Sequence, residues 1–279
     1  MKQHKVGLFD LDIFAYQAAS AVEREIDWGD GLWTLHSDFN HAKANAEDAI
    51  DRIADKLKLD EVVLCITDDH NWRKDVFPEY KSNRKDVRKP LALRELKEYL
   101  IGQYESFKRP GLEADDVMGI LSTWSHFKPD SQKIIISEDK DLRNIPGWLF
   151  NPAKDTKPQL ISREDADLWF YTQALIGDAT DGYPGCPGVG QSGADELFST
   201  GMKWESYEHE FKSGPRKGTT ETRWRRVENE GSLWDAVVSC YVKAGLSENV
   251  AIQQARVARI LRAEDYDFRN KQPILWTPK

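Results

Sequence analysis

The sequence predicts an α/β fold built around a mostly parallel sheet. Three short apolar runs, at residues 6–9, 61–67 and 133–137, suit strands that are buried on both faces. Each run leads to an aspartate at or just beyond its end. Helical patterns lie between the runs, and strands that alternate with helices indicate an α/β core.

Apolar residues recur at helical spacing between the predicted strands. A proline at the start of one pattern is placed for the first turn of a helix. Three helices follow from these patterns, the first carrying Ala46, Ile50, Ile53 and Leu57, the second Leu93, Leu96 and Leu100 after Pro90, and the third Val117, Ile120, Leu121 and Trp124.

The chain after about residue 160 is predicted to be helical, apart from the polar segment 212–232. Ser162 and Asp165 approximate a capping box that opens a helix ending near Gly177. A further helical stretch is predicted at 192–198. The polar segment is expected to form turns, because it contains Gly214, Gly218 and Gly231.

Composition and cysteine usage are typical of an intracellular globular protein. The 279 residues include no run of 18 apolar residues, and the N-terminus shows no signal-peptide pattern. The three cysteines, Cys65, Cys186 and Cys240, are far apart and odd in number, which indicates reduced thiols rather than a disulfide framework or a zinc site. We therefore expect a cytoplasmic protein.

The charge distribution is more informative than the net charge of −8, which taken alone disfavours a nucleic-acid partner. Residues 73–89 contain seven basic and three acidic side chains, and residues 212–226 contain six basic and one acidic. An acidic protein with two basic segments can carry both a carboxylate-rich metal site and a surface that follows phosphates.

Acidic side chains are expected to gather at one edge of the sheet. The carboxyl ends of parallel strands share an edge where ligands bind. A single aspartate there is usually a turn residue or a helix cap, but five groups of acids would repel one another without a counter-charge. Two Mg²⁺ or Mn²⁺ ions would supply it, because hard cations prefer oxygen ligands. The acids are Asp10, Asp68, Glu113, Asp115, Asp116, Asp139, Asp141, Asp178 and Asp181.

Two further segments suit phosphate binding. The first combines Tyr80 with Lys81 and Arg84, an aromatic side chain beside cations, which fits base stacking and phosphate contact. The second is a glycine-rich turn before the helical stretch at 192–198, where backbone N–H groups can approach a phosphate. This turn contains Gly185, Gly188, Val189 and Gly190. A solvated charged face and a plain helix–helix turn remain the alternatives.

These motifs, taken in order, resemble the flap-endonuclease and 5′→3′ exonuclease family. The resemblance rests on the acids at the strand ends, on the segment from Pro78 to Arg84, and on Gly177-Asp178-Ala179-Thr180-Asp181 with its following glycine turn. Within the family, the chain is most similar to exonucleases of short-tailed lytic phages of the T-seven type.

The resemblance implies a PIN-like α/β core with flanking helices and a helical arch. The core and arch would occupy residues 1–160, with the arch at about 70–110. A helical C-terminal region would occupy 161–279 and carry a helix–hairpin–helix DNA-binding motif at about 177–200, where K⁺ often binds.

The resemblance also assigns roles to the candidate residues. Asp10, Asp68, Glu113, Asp115 and Asp116 would serve a first metal ion, and Asp139, Asp141, Asp178 and Asp181 a second. Tyr80 would stack on the terminal nucleotide, while Lys81 and Arg84 would steady the scissile phosphate. DNA phosphates would meet the glycine turn and the basic residues Lys212, Arg223, Arg225 and Arg226.

The implied activity is two-metal, stepwise 5′→3′ hydrolysis of duplex DNA with 5′ ends or flaps, and of RNA in RNA–DNA hybrids. Such an enzyme would act in phage replication, primer removal and recombination within the infected bacterial cell, alongside phage replication proteins. Two alternatives remain: a phosphatase of the haloacid-dehalogenase class, with Asp10 as nucleophile and Asp12 as general acid, and a non-catalytic binder of DNA junctions.

Overall fold

Strands and helices alternate through the first half of the chain, as the sequence predicts. The structure is a computed structural model and describes residues 3–84 and 87–278. In chain order its elements are β1 (Lys5–Asp10), α1 (Leu11–Ala21), β2 (Glu23–Asp27), β3 (Trp33–Ser37), α2 (Phe39–Leu57), β4 (Glu61–Ile66), α3 (Arg73–Val76), α4 (Leu93–Gln103), β5 (Glu105–Lys108), α5 (Ala114–Thr123), β6 (Gln132–Ile136), β7 (Gly147–Phe150), β8 (Gln159–Ile161), α6 (Arg163–Ile176), α7 (Gln191–Thr200), β9 (Met202–Glu210), β10 (Thr220–Glu228), α8 (Leu233–Lys243), α9 (Glu248–Ala258), β11 (Tyr266–Asp267) and β12 (Gln272–Pro273).

Six strands form the central sheet, in the order β5-β4-β1-β6-β7-β8. Every pairing is parallel except that of β7 with β8. The three strands predicted from apolar runs are its central members: β1 lies between β4 and β6, and all three end at the same edge. The prediction of a mostly parallel α/β sheet is confirmed.

The predicted helices pack against this sheet through the apolar residues whose helical spacing predicted them. Ala46, Ile50 and Leu57 of α2 are buried in a core shared with α1, α4 and the sheet, and α5 packs against β1, β4 and β6. One boundary differs, because α4 begins at Leu93, three residues after Pro90, with Ala92 as its N-cap. No helix in the described part of the chain is both long and apolar enough to cross a membrane.

The chain divides into two compact units that are interleaved in sequence. The sheet unit contains residues 3–72, 87–166 and 260–274, and the second unit contains 73–84, 167–259 and 275–278. The predicted boundary near residue 160 is thus close to one crossing point, but the chain also crosses at four others. Tertiary packing decides these crossings, which no shift in composition marks.

The predicted arch at 70–110 is largely replaced by core structure. Leu96 and Leu100 of α4 are buried in the core of the sheet unit, and β5 pairs with β4. Only the part of this segment that precedes α4 could form an arch away from the sheet. Two residues of that part, Lys85 and Asp86, lie outside the described residues. Residues 93–108 thus belong to the sheet unit, because a helix with one apolar stripe suits a core as well as an arch, and the arch itself stays a prediction.

The second unit combines helices with an antiparallel hairpin. Phe170 of α6, Leu197 of α7, Tyr241 of α8 and Ala255 of α9 share its core. The predicted helix after Ser162 is α6, and Asp165 N donates to Ser162 Oγ at 3.0 Å. The polar segment, however, is part of a hairpin of β9 and β10 with nine residues in each strand. The sequence pattern did not predict this hairpin. Its strands alternate charged with aromatic residues, whereas strand prediction relies on polar residues that alternate with apolar ones.

Candidate active site

Three of the predicted acids lie at the carboxyl edge of the sheet, on neighbouring strands. Asp10 is the last residue of β1 and is in register with Cys65 of β4, while Phe9 is in register with Ile136 of β6. Asp68 follows β4 by two positions, and Asp139 follows β6 by three. The structure therefore brings Asp10, Asp68 and Asp139 to one edge, as the parallel sheet requires.

Asp10 is a helix cap and a buried, poorly compensated charge. Its Oδ1 accepts N–H groups from Asp12 at 3.0 Å and Ile13 at 3.3 Å, which caps α1. The residue is only 5% exposed. Burial, together with the negative charges of Asp12 and Asp139, raises the pKa of Asp10 to about 7 despite the two backbone N–H groups.

Asp12 and Asp68, by contrast, each have a lysine partner. Asp12 pairs with Lys97 of α4, and its Oδ2 accepts the N–H of Thr67 at 3.2 Å. Lys108 Nζ lies 3.0 Å from Asp68 Oδ1, while Gly111 N donates to Asp68 Oδ2 at 2.8 Å. The Gly111 and Lys108 hydrogen bonds hold the pKa of Asp68 below its usual range. The sequence pattern indicated neither lysine, because each meets its carboxylate across a long stretch of chain.

The acids that open α5 have different positions. Glu113 is the N-cap and forms a capping box with Asp116. Asp116 is completely buried, and its Oδ2 accepts Trp72 Nε1 at 3.1 Å while its Oδ1 accepts Leu261 N at 3.1 Å. Both oxygens thus hold the fold together in this structure, and ligation of a metal ion by Asp116 stays a prediction from the family resemblance.

Asp115 lies nearer to the edge of the sheet. It is half-buried, and its charge acts with that of Asp10 in raising the pKa of the Cys65 thiol, although burial is the larger cause. Cys65 is the register partner of Asp10. The charges of Asp115 and Asp10 therefore both lie near Cys65.

Asp139 and Asp141 belong to one turn after β6. Asp139 caps a 3-10 helix, Lys140–Asn144, by accepting Asp141 N on its Oδ1 at 2.8 Å. Both aspartates are half-buried. Asp10 Oδ2 and Asp139 Oδ2 have no hydrogen-bond donor among the described residues, so each carboxylate keeps one oxygen available.

These observations allow a test of whether a metal ion fits. The donors are carboxylate oxygens, which suit a hard divalent cation, and the repulsion between Asp10 and Asp139 calls for positive charge. As the side chains stand, however, no three His, Cys, Asp or Glu residues of the described ranges lie close enough together to hold an ion. The donor chemistry fits a metal site, but the predicted convergence of many acids is not preformed.

Asp178 and Asp181 lie in the second unit, in a tight turn after α6. Asp178 Oδ1 accepts Thr180 N at 2.7 Å and Asp181 N at 3.2 Å, and its backbone bridges to Tyr183. Asp178 is buried, like Asp10, and it also begins a turn by accepting backbone N–H groups. The local motif therefore forms the structure that its residues favour.

Asp181 is bound by three predicted site residues of the same unit. Tyr80 Oη donates to Asp181 Oδ2 at 2.9 Å, Arg84 Nη2 donates to Oδ1 at 2.8 Å, and Lys81 Nζ lies 3.5 Å from Oδ2. Lys81 N also donates to the carbonyl of Asp181 at 2.8 Å. We call these residues, Tyr80, Lys81, Arg84 and Asp181, the Asp181 clamp.

Tyr80 contributes to the clamp through its hydroxyl, while its ring is buried. The ring is only 3% exposed and packs with Tyr183, Val257 and Ala258. The ring is covered in this structure, and its stacking on a nucleotide stays a prediction from the family resemblance. The hydroxyl, in contrast, holds the Asp181 carboxylate.

The glycine turn has one buried and one exposed end. Gly185 N donates to Gln254 Oε1 at 2.9 Å, and a Cβ on Gly185 would stand 2.3 Å from Gly177 N. Gly185 therefore serves close packing in this structure, and its contact with phosphate stays a prediction. Gly188 and Gly190 are exposed, Val189 is half-buried, and α7 begins directly after them without a side-chain cap.

The basic residues predicted to meet DNA lie on the hairpin, and most have acidic partners. Arg225 pairs with Glu205 at 2.5 Å, Arg223 with Glu221 at 3.2 Å, and Arg226 with Glu196 at 3.4 Å. Lys212 is exposed at the end of the hairpin. The charges of the three arginines are thus partly neutralised by glutamates of the second unit, whereas Lys212 is exposed to solvent.

Comparison with known proteins gives consistent results. Residues 12–147 match a family described as the 5′-3′ exonuclease, N-terminal resolvase-like domain. The exodeoxyribonuclease of Enterobacteria phage T3 is 37% identical over 282 aligned residues, covering 98% of this chain and 92% of that protein. The exonuclease of Escherichia phage T7 is 36% identical over 281 residues, covering 97% and 93%.

A solved structure shares the fold. The D15 flap endonuclease of bacteriophage T5, in a pseudo-enzyme-product complex with DNA and metal ions, superposes with a TM-score of 0.51. The match covers 71% of this chain and 75% of that one, at 15% sequence identity. At this identity the likeness concerns the fold alone.

Proposed function

The chain belongs to the 5′-3′ exonuclease family, and from this membership we propose that it hydrolyses phosphodiester bonds at the 5′ ends of duplex DNA, using divalent cations at the carboxyl edge of its sheet. That it is a 5′-3′ exonuclease follows from relatives that are 36% and 37% identical over nearly the whole chain. The substrate, the cations and the residue roles are the proposal.

The observation that carries the proposal is the unbalanced negative charge at Asp10 and Asp139. Both carboxylates use one oxygen to cap the following turn and keep the other without a protein donor in the described ranges. Fold stability alone does not favour a buried carboxylate beside another, because the charges repel and burial is costly. A cation at this edge would compensate for both costs.

We propose that Asp10, Asp115, Asp139 and Asp141 hold the divalent cations of the sheet unit. Asp68 can join them if Lys108 releases it. Bound there, Mg²⁺ or Mn²⁺ would generate the attacking hydroxide and stabilise the leaving oxygen. The metal ions in the T5 complex support this assignment. Two ions, ligation by Glu113, Asp178 and Asp181, and K⁺ at the glycine turn stay predictions from the family resemblance.

Lys81 and Arg84 are proposed to hold the phosphate that is cleaved. Their partner in this structure is the Asp181 carboxylate, an oxygen anion that presents its atoms much as a phosphate does. A DNA phosphate would take that place, and Lys81 would then stabilise charge that grows in the transition state. Tyr80 would position Asp181 through its hydroxyl rather than contact a base.

Duplex DNA with 5′ ends or flaps is the proposed substrate, and the T5 complex with DNA supports it. Cleavage of RNA in RNA–DNA hybrids would extend the same chemistry, because the scissile group is again a phosphodiester. The phage origin of the two full-length relatives supports action in phage DNA replication, primer removal and recombination, with phage replication proteins, in the host cytoplasm.

The two alternative functions are not favoured. A phosphatase of the haloacid-dehalogenase class would need Asp12 to donate and accept a proton, but Asp12 is bound by Lys97 and by the N–H of Thr67. A non-catalytic DNA binder is at odds with named exonucleases that match almost the whole chain.

Cleavage of end-labelled substrates tests the proposal directly. Duplex, flap and RNA–DNA substrates carrying a 5′ label should be shortened from the labelled end in Mg²⁺ and left intact in EDTA. Cleavage that continues in EDTA would refute the metal assignment, and binding without cleavage in any divalent metal would restore the non-catalytic alternative.

A further inference from the structure

The β9–β10 hairpin carries a row of aromatic rings along one face. Strand pairing places Tyr207 opposite Arg223, His209 opposite Glu221, and Glu205 opposite Arg225. Side chains of paired residues share a face, so rings and guanidinium groups alternate across it. Phe211 continues the row just beyond β9. We call Tyr207, His209 and Phe211, with Arg216, Arg223 and Arg225, the aromatic–arginine row.

Members of this row are in direct contact with one another. The rings of Tyr207 and His209 meet edge to face at 6.4 Å, and those of His209 and Phe211 at 5.1 Å. Arg216 lies 4.0 Å from the centre of the Phe211 ring, and Arg225 lies 5.4 Å from that of Tyr207. The row is therefore a continuous column of flat groups.

The row is partly open to solvent, with its three rings half-buried. The side chains of Arg216 and Arg225 are 64% and 58% exposed, and residues 212–220 at the end of the hairpin are all exposed. The opposite face contacts α8 near its base, where Trp204 N donates to Ser239 Oγ at 3.0 Å. The outer part of the hairpin consequently offers both its flat groups and its charges to a partner.

Contacts that stabilise the hairpin itself account for the aromatic–arginine row, but not for the lysines at the exposed end of the hairpin. A two-stranded hairpin is marginal on its own, and ring contacts and Arg–Glu pairs strengthen it. Lys212 and Lys217 add neither a ring contact nor an ion pair to the hairpin. Within the described part of the chain, their side chains have no acidic partner. Two such lysines beside a column of flat groups, on a protein of net charge −8, indicate an anionic partner with planar groups.

We propose that the aromatic–arginine row binds single-stranded DNA, with Lys212 and Lys217 contacting its phosphates. Unpaired bases can stack on rings and guanidinium planes, whereas paired bases in a duplex are already stacked on one another. This inference rests on the proposed function in one respect: a 5′→3′ exonuclease leaves the complementary strand unpaired as it removes its partner. The reaction therefore produces the ligand that the hairpin fits.

Binding without cleavage separates this inference from the proposed function. The full-length protein is titrated in EDTA with fluorescein-labelled oligothymidine and with a blunt hairpin duplex of the same length, over a range of salt concentrations. The test variants are Lys212→Ala/Lys217→Ala and Phe211→Ala. Lys154→Ala/Lys157→Ala is the matched control, since it removes two other exposed lysines. Cleavage of the short blunt duplex in Mg²⁺ is measured for every variant.

The lysine pair should flatten the salt dependence of single-strand affinity by about 1.4 logarithmic units per tenfold change in salt, about 0.7 for each lost phosphate contact. Phe211→Ala should weaken oligothymidine binding by about fivefold or more, the scale of one lost stacking contact, and Phe211→Trp should restore it. Affinity for the blunt duplex and its cleavage should stay near the wild type in Phe211→Ala and in the control variant.

Three outcomes would overturn the inference. They are unchanged single-strand affinity in both test variants, an equal loss for the blunt duplex, and an equal loss in the control variant. The lysine variant keeps the test valid if Phe211→Ala disturbs the hairpin, because both lysines lie at its exposed end. Absence of cleavage by the wild-type protein would instead refute the proposed function and leave the binding result intact.

Discussion

Asp10 at the edge of the sheet and Asp181 in the second unit are acids of the same predicted class, yet their surroundings are opposite. Asp10 is buried beside Asp12 and Asp139, with one oxygen used by backbone N–H groups. Asp181 is bound by a tyrosine hydroxyl, a lysine and an arginine. One carboxylate thus lacks positive charge, whereas the other is surrounded by it.

This difference separates two ways in which an acid can serve a nuclease. Capping does not distinguish them, because metal candidates such as Asp10 and Asp139 cap turns, as ordinary aspartates do. The partner of the second carboxylate oxygen does distinguish the two roles. Where it lacks a donor among the described residues, a cation is the fitting partner. Where side-chain cations hold it, as at Asp181, the acid orders the groups that we propose to meet the phosphate.

The largest effect is expected from Asp139→Asn. The substitution keeps the cap, because an asparagine oxygen also accepts Asp141 N, but it removes the charge that a divalent cation would need. Turnover of duplex DNA in Mg²⁺ should fall on the order of 10³-fold, the scale of several kcal/mol of lost electrostatic stabilisation. Single-turnover rates at saturating enzyme measure this effect separately from DNA affinity.

Glu138→Gln is the matched control, because Glu138 is the exposed neighbour of Asp139 and its change in charge is the same. It should stay within a few-fold of wild-type activity. Thermal melting gives a second readout: Mg²⁺ should raise the melting temperature of the wild type, since a ligand of the native state stabilises it, but raise that of Asp139→Asn much less. Equal shifts in both proteins would place the ion elsewhere.

The next largest effect is expected from Lys81→Ala. Removing a cation beside the scissile phosphate should lower the single-turnover rate by roughly 10²-fold, as for a lost electrostatic donor in other enzymes. Lys74→Ala is the control, because Lys74 is an exposed lysine of α3. A change in affinity alone would mean that Lys81 positions DNA without stabilising the transition state.

Tyr80→Phe tests the clamp by removing only the hydroxyl. If the ring stacked on a nucleotide, phenylalanine would preserve activity, since its face is equivalent. If the hydroxyl positions Asp181, activity should fall by about tenfold, the scale of one hydrogen bond to a charged group. Comparison of single-turnover rates for Tyr80→Phe and wild type decides between the two roles, with Tyr183→Phe as a control in the same buried cluster.

Much of the sheet and its edge could be predicted from the sequence, because the signals are local. Apolar runs of a few residues identified β1, β4 and β6, and a parallel sheet necessarily brings Asp10, Asp68 and Asp139 to one edge. The helix opened by Ser162 likewise followed from neighbours in the chain. Each of these predictions needed only residues that are close in sequence.

The remainder depended on contacts between distant residues. Lys97 meets Asp12 across 85 positions, and Leu261 N meets Asp116 across 145, so no spacing indicated which acids were already neutralised or structural. The burial of Tyr80 depends on α9, far along the chain. The hairpin was missed for a different reason, since its strands carry few of the apolar residues on which strand prediction relies.

The smallest effect is expected from Asp12→Asn, which also separates the nuclease from the phosphatase. Asparagine can still accept the N–H of Thr67, so only the ion pair with Lys97 is lost. A pair that is partly exposed contributes little to stability, and activity on duplex DNA should fall no more than a few-fold. A phosphatase would lose its general acid and essentially all turnover. Two measurements distinguish the nuclease from the phosphatase. One compares the rates on duplex DNA and on a small phosphate monoester, and the other searches for phosphorylated Asp10. Asp10→Asn should be inactive in either case and serves as the reference. A trapped phosphoaspartate would contradict hydrolysis by a metal-activated water.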